Sequence, residues 1–429
     1  MLPIPTILTG GALGLLALTS LNSKIAGVLW GLGFIISGWI AYRRRPWRAP
    51  DLIDDAARIW VIAMAGTLAC WVATAAIWGE LIPIQSAEIN AGARLLTGAL
   101  AGWWITRVVL TRPDRRIADA ITVAMVVACV MAAVLSLMLS DRDHYPSNAI
   151  AWAASIGLLA VLLVPYATDR RISSQIRMLS AAGACFALVA IFASQTRGAY
   201  PIAVWVLGLA LFAAYRHGRS RLRVSVAAAT GTAALLLVLA VGALHPADPL
   251  RLREAVTGLR QAYQDQQFNT ASGARVYLFE LGWHTFVESP WIGVGARNRR
   301  ALIQQSGADD SPERAKALEH VRQLGHVHNA YLHHAMDGGL IGLLGFLLSL
   351  GGLGLLAHRL KPVAPIASLQ VWGILFVHAS TNLTSVNLAH NYYSLMLAIS
   401  VAIVLIQARL RGDPAMARVG PDLTHSSRG

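Results

Sequence analysis

Along this chain apolar residues come in continuous blocks of about 20, with neither the alternation of a half-buried strand nor the one-sided stripe of a surface helix. The blocks fall near 3–22, 25–42, 58–79, 91–110, 117–140, 149–167, 178–195, 199–215, 225–244, 330–357, 364–381 and 391–408. About 20 mostly apolar helical residues are needed to cross the hydrocarbon core of a bilayer. The pattern therefore predicts an all-α polytopic membrane protein with about twelve transmembrane helices. A transmembrane β-barrel would need short segments of alternating polarity, whereas these blocks are unbroken runs of Leu, Ala, Val and Gly. One long interval departs from the pattern: between His245 and His328 the chain is polar and arginine-rich. The organisation expected is transmembrane helices 1–9 over 1–244, a helical loop domain over 245–328, helices 10–12 over 329–412 and a polar tail over 413–429.

The long loop itself reads as helical. Leu252, Val256, Leu259 and Tyr263 fall on one helix face, which suits the surface of a bilayer. Arg275 to Glu288 reads as a second helix carrying Phe279, Trp283 and Phe286; Ser289-Pro290 stops it and a Gly293-Val294-Gly295 turn follows. A third helix is expected from Ser311 as N-cap and Pro312 as first helical residue. Leu318, Val321 and Leu324 line one side of it and Gly325 ends it. The chain then returns to an apolar span through Gly325-His326-Val327-His328-Asn329.

Composition fixes the class. Hydrophobic residues make up 55% of the chain, charged ones 14%, and mean hydropathy is +0.53, a balance that no soluble globular domain has. The net charge of +14 is distributed in clusters at every second loop. These are Arg43, Arg44, Arg45 and Arg48; Arg112, Arg115 and Arg116; Arg170 and Arg171; Arg216, Arg219, Arg221 and Arg223; Arg359 with Lys361; and Arg409 with Arg411. That is the positive-inside pattern, which puts both termini in the cytoplasm and the long loop outside. The basicity is a topology signal, and no basic soluble domain exists to bind nucleic acid. Cys70, Cys129 and Cys185 each fall in a predicted span, so no disulfide framework is implied. Pro3 and Pro5 open the first block without a basic region before it, which reads as a retained helix. The hydrophilic end from Thr424 to Gly429 is expected to be a disordered tail.

Three positions invite chemistry. Arg197, in Ser194-Gln195-Thr196-Arg197-Gly198, sits at the expected outer end of the seventh span. An arginine at membrane depth is costly and marks a site, the alternative being a side chain that snorkels to lipid phosphates. Arg275, after Ser272-Gly273-Ala274, offers a planar fork suited to phosphate; the alternative is a surface ion pair, for instance with Glu280. His328 precedes an apolar helix and is suited to accept a proton near neutral pH, although most such histidines are merely hydrogen-bonded structural residues. His326, His328, His333, His334 and Asp337 also cluster in sequence, which raises a metal reading. No HExxH string or other ligand-spacing signature accompanies them, and no metal or cofactor is expected.

The string from Gly325 through His328-Asn329 to Asp337-Gly338-Gly339-Leu340-Ile341-Gly342 is similar to the signature of the O-antigen ligase and polymerase superfamily. The ligase pattern is His, then Asn, Ser or Gln, nine residues, Gly, two residues, then Gly, Thr or Tyr. His328-Asn329, Gly339 and Gly342 satisfy it. The strings Thr196-Arg197-Gly198 and Ser272-Gly273-Ala274-Arg275, with Pro290 and Gly293-Val294-Gly295, resemble the family's other blocks, so the likeness spans about 180–345. Pro201 departs from the aliphatic residue many relatives carry there.

The resemblance implies a GT-C-like glycosyltransferase of the bacterial inner membrane with a periplasmic active site. Such an enzyme moves a glycan from undecaprenyl pyrophosphate to a sugar hydroxyl of lipid A–core, completing lipopolysaccharide, without metal or cofactor. It further implies that Arg197 and Arg275 hold the pyrophosphate and that His328 is the general base, with His326, Arg300 and Arg322 as further substrate-binding candidates. Sister activities, an O-antigen polymerase or a protein O-oligosaccharyltransferase, share the donor chemistry and stay open. A lipid-glycan transporter is a non-enzymatic alternative, opposed by the missing internal repeat and the near absence of acidic residues deep in the spans.

Overall fold

The computed structural model describes residues 23–43, 50–81, 87–110, 113–139, 145, 148–217, 248, 250–308 and 311–412. The expected spans at 3–22 and 225–244, the tail beyond 412 and parts of the basic loops lie outside the described residues. All regular structure among the described residues is helical. The elements are α1 (Ser23–Arg43), α2 (Leu52–Ile77), α3 (Ala87–Trp104), α4 (Arg115–Met138), α5 (Ala149–Thr168), α6 (Ser174–Ala193), α7 (Pro201–His217), α8 (Leu252–Asp265), α9 (Ala271–Glu288), α10 (Gly295–Gln304), α11 (Pro312–Ala317), α12 (Glu319–Arg322), α13 (Ala330–Leu360), α14 (Pro365–Thr381) and α15 (Asn391–Arg411). Six of them, α2, α4, α5, α6, α13 and α15, are long and apolar enough to cross a bilayer. The expected spans near 25–42, 91–110, 199–215 and 364–381 correspond to the helices α1, α3, α7 and α14.

The apolar blocks place these helices well but mark their ends poorly. The third block begins near 58, yet α2 begins at Leu52 because Asp51 caps it. The Asp51 carboxylate accepts from the N–H groups of Ile53 and Asp54, while Asp54 accepts from the N–H of Asp51, a reciprocal capping box. Arg409 of α15 donates to both Asp51 and Asp54 and ties that end of the bundle together.

At the centre stands α5, buried along its length from Ala149 to Tyr166. A helix apolar on every side belongs inside, and α4, α6, α7, α14 and α15 surround it. Because lipid is as apolar as leucine, close packing and interhelical hydrogen bonds hold such a bundle. One example joins three helices: Gln407 on α15 accepts from Tyr166 at 2.7 Å and donates to Thr122 at 3.1 Å.

The helices between α7 and α13 form a second, smaller core of Ala262, Phe268, Ala274, Leu278, Ile303, Leu318, Val321, Val327 and Met336. Val327 and Met336 flank the start of α13, so this core is built onto the end of the bundle. Truncating one of its buried leucines, such as Leu278, to alanine costs about 2–5 kcal/mol. Three details differ from expectation. α9 starts at Ala271 rather than Arg275, because the Thr270 hydroxyl accepts from Gly273 N at 3.0 Å. The helix expected after Ser311 breaks at Leu318 into α11 and α12. The chain beyond the Gly293–Gly295 turn continues as α10, whose first N–H groups, Ala296 and Arg297, donate to Glu80 at 3.0 and 2.8 Å.

A single interlock sets the loop helices against α13. That helix is kinked at Gly339, with φ +57° and ψ −143°. The turn Pro290–Val294 sits in the notch: Leu340 N donates to Pro290 O at 2.7 Å and Val294 N to Met336 O at 2.9 Å. A Cβ on Gly339 would lie 2.4 Å from the Trp291 carbonyl carbon, and one on Gly293, which has φ +62°, would lie 2.4 Å from Met336 O. Both positions require glycine.

Candidate functional site

The turn before α13 presents two imidazoles. Asn329 caps the helix by accepting from Leu332 N at 3.1 Å, and Ala330 N donates to Asn382 O at 2.8 Å. Asn382 is fixed in turn by the buried His378, whose carbonyl accepts from its side chain at 2.6 Å. His328 adopts a left-handed backbone with φ +57°. Its ring packs edge to face against His326 at 4.2 Å between centroids, and His390, from the segment joining α14 and α15, lies 6.2 Å from His326.

Burial lowers the pKa of all three imidazoles. His326 is pushed down to about 2 by burial and by the neighbouring His328, His333 and His390. His328 is pushed down to about 3 by burial first and by the Arg275 guanidinium second. His390 is lowered by burial. The histidines are therefore neutral at pH 7, able to accept a proton or donate one N–H each. Neither His326 Nδ1 nor His328 Nδ1 makes a hydrogen bond among the described residues.

Arg197 follows α6 in a short 3-10 turn, preceded by Gln195 with φ +51° and by the buried Thr196. Its guanidinium donates to Arg251 O at 2.7 Å and to Ser272 Oγ at 3.4 Å. Ser272 and Arg275 are one turn apart on α9 and therefore share a face. Arg197 and Arg275 accordingly line one cavity of about 30 Å³, together with Gln195, Gly198, Arg251 and Thr384. Thus two segments far apart in sequence deliver two guanidiniums to one place, and the charge of Arg275 is felt at His328.

The other residues singled out from sequence take different positions. His326 belongs to the imidazole group. Arg300 is exposed on α10. Arg322 donates to Ala315 O at 2.9 Å and Ser306 O at 3.4 Å, and so braces the loop helices.

The arginine that reaches the histidine turn is Arg299, which is 3% exposed. It donates to the carboxylate of Asp337 and to the carbonyl of Gly325, the residue before His326. Burial lowers its pKa, but Asp337 and Glu88 outweigh that and hold it above the ordinary value. Nothing in the local sequence separates Arg299 from Arg300; only the helix phase of α10 does.

Glu88, His390 and Thr384 also reach the site without any local sequence signal. Glu88 Oε1, His333 Nε2 and Asp337 Oδ2 lie within 4.8 Å of one another, the one group of potential metal ligands found among the described residues.

The arrangement joins cationic forks, which suit a diphosphate, to neutral imidazoles, which suit proton transfer. No curated protein matches the chain. Residues 181–347 match the family model described as O-antigen ligase, a span that contains Arg197, Arg275, Arg299 and the histidine turn. That match supports membership of the O-antigen ligase/polymerase superfamily, whose members are membrane glycosyltransferase-like enzymes.

Proposed function

We propose that the protein is an O-antigen ligase of the bacterial inner membrane. In this reading it transfers a glycan from undecaprenyl pyrophosphate to a sugar hydroxyl of lipid A–core at the periplasmic face. The observation that carries it is the shared cavity of Arg197 and Arg275 beside the His328 turn. Breaking the glycosidic bond builds charge on the leaving diphosphate, and guanidiniums already aimed there stabilise the transition state more than the ground state. The acceptor hydroxyl becomes a competent nucleophile as His328 takes its proton, a contribution of about 10²–10⁴ in rate.

A cavity of about 30 Å³ admits water but not a diphosphate. Donor binding therefore moves the Arg251 segment and exchanges the Arg197 bond to Arg251 O for bonds to phosphate. The incoming negative charge also offsets the Arg275 charge at His328. The histidine consequently becomes a stronger base once the donor is in place, which links proton transfer to an occupied site. The chemistry asks for no metal on the diphosphate, since two guanidiniums face it.

The acceptor distinguishes this reading from its sisters. Purified protein given lipid-linked glycan with lipid A–core, with a second lipid-linked glycan, or with a protein acceptor should label lipid A–core. Label found only in a longer polyprenyl glycan favours a polymerase, and label only in protein favours an O-oligosaccharyltransferase. Movement of the intact lipid across proteoliposomes without a covalent product favours a transporter.

A further inference from the structure

We propose that Glu88, His333 and Asp337 form a divalent transition-metal site that clamps α3 to the start of α13, apart from the diphosphate-binding arginines. The three side chains come from places unrelated in sequence. Glu88 lies in the first turn of α3, His333 and Asp337 one turn apart on α13. His333 Nε2 is 3.0 Å from Glu88 Oε1 and 3.6 Å from Asp337 Oδ2. Donor atoms bound at about 2.1 Å and at tetrahedral or octahedral angles stand roughly 3.0–3.4 Å apart, close to both His333 distances, and the two carboxylate oxygens, within 4.8 Å of each other, would draw together on an ion.

Two further observations point to a cation. Asp337 is 5% exposed; Arg299 occupies its Oδ1, and its Oδ2 makes no hydrogen bond among the described residues. That oxygen's carboxylate lines a cavity of about 20 Å³ shared with Glu80, Glu88 and His334, room for the water that completes a coordination shell. The charges also fall short of balance. Glu80, Glu88 and Asp337 border this cavity; the Ala296 and Arg297 N–H groups meet Glu80 and Arg299 meets Asp337, so Glu88 is the carboxylate left to His333. Buried carboxylates need compensation, and a divalent ion supplies it. One imidazole nitrogen with two carboxylate oxygens suits Zn²⁺ or Mn²⁺ better than Ca²⁺ or Mg²⁺. His326 stands 6.5 Å from His333 between ring centroids, so the ion would steady the histidine turn from behind without touching the Arg197–Arg275 cavity.

The test uses full-length protein in detergent, stripped of metal and titrated with Zn²⁺ or Mn²⁺. Expected are one ion per chain, a rise in melting temperature, and an X-ray absorption spectrum of the Zn²⁺ form showing one imidazole among oxygen ligands. Glu88→Gln and His333→Gln should each weaken binding at least about tenfold. Absence of stoichiometric uptake by the wild type overturns the proposal, as does uptake of Ca²⁺ but not Zn²⁺ or Mn²⁺. So does affinity unchanged in both variants, or a spectrum with two or more imidazoles, which would place the ion on His326, His328 and His390. The spectrum is read on wild-type protein, so the proposal stays testable if a variant fails to fold.

Discussion

Replacing Gly339 by alanine tests the interlock that carries the histidine turn. The residue holds φ +57° and ψ −143°, a conformation open essentially to glycine and costing any other residue about 1–3 kcal/mol. The added methyl would meet Trp291 C at 2.4 Å, Ile292 N at 2.5 Å and Pro290 O at 2.6 Å. These are backbone atoms, so the 290–294 turn must withdraw and strain the bonds Leu340 N to Pro290 O and Val294 N to Met336 O, worth about 0.5–1.5 kcal/mol each. Together the loss is about 2–6 kcal/mol. Gly351 in the same helix is the internal control: a Cβ there meets nothing within 4 Å, and alanine gains up to about 1 kcal/mol of helix propensity. Apparent melting temperature in detergent, read as the fraction surviving heating in monodisperse form, should fall by several degrees for Gly339→Ala and hold or rise for Gly351→Ala. Wild-type stability in Gly339→Ala, or equal losses in both, would show that the notch does not require glycine.

Arg275→Lys should lower transfer about 10²–10³-fold with an unchanged melting temperature, since an ammonium cannot reproduce the fork; wild-type turnover would show that the fork is unused. Histidines with pKa values lowered by folding bind fewer protons than in the unfolded chain. Their contribution to stability is therefore full above the unfolded value of 6.5 and is lost as pH falls toward about 3 for His328 and about 2 for His326. Each costs up to about 1.4 kcal/mol per pH unit across that window. Melting temperature measured from pH 7 to 4.5 should fall, and His328→Gln should flatten the decline; a flat wild-type profile contradicts the burial argument. Because a bound diphosphate lifts the His328 pKa, the acid limb of kcat should lie at higher pH than that of kcat/KM. Coincident limbs would mean that donor and histidine do not sense each other.

What the chain revealed unaided follows from how local each signal is. Hydropathy is a property of neighbouring residues, so α2, α5 and α13 are legible from their blocks, and the signature around His328, Gly339 and Gly342 marks the turn and the kink. Helix starts depend on single caps, and Asp51 and Thr270 shift α2 and α9 away from the block edges. The notch that makes Gly339 and Gly293 necessary is a contact between distant segments, and no spacing rule contains it. Arg299 and Arg300 are equivalent as letters until α10 is known to be a helix with a defined buried side. Glu88 is a lone acid at the edge of an apolar block, and its meeting with His333 across the bundle leaves no trace in either neighbourhood. His390 likewise lies beyond the matched segment and joins His326 only through the fold.

The most direct measurement pairs donor binding with transfer in three variants, Arg197→Ala, Arg275→Ala and His328→Ala, using lipid-linked glycan and lipid A–core. All three should insert and fold yet form no ligated product; both arginine variants should bind the lipid diphosphate more weakly, and His328→Ala should bind it as the wild type does. Ligation at the wild-type rate without His328, or undiminished diphosphate binding without the two arginines, would contradict these roles.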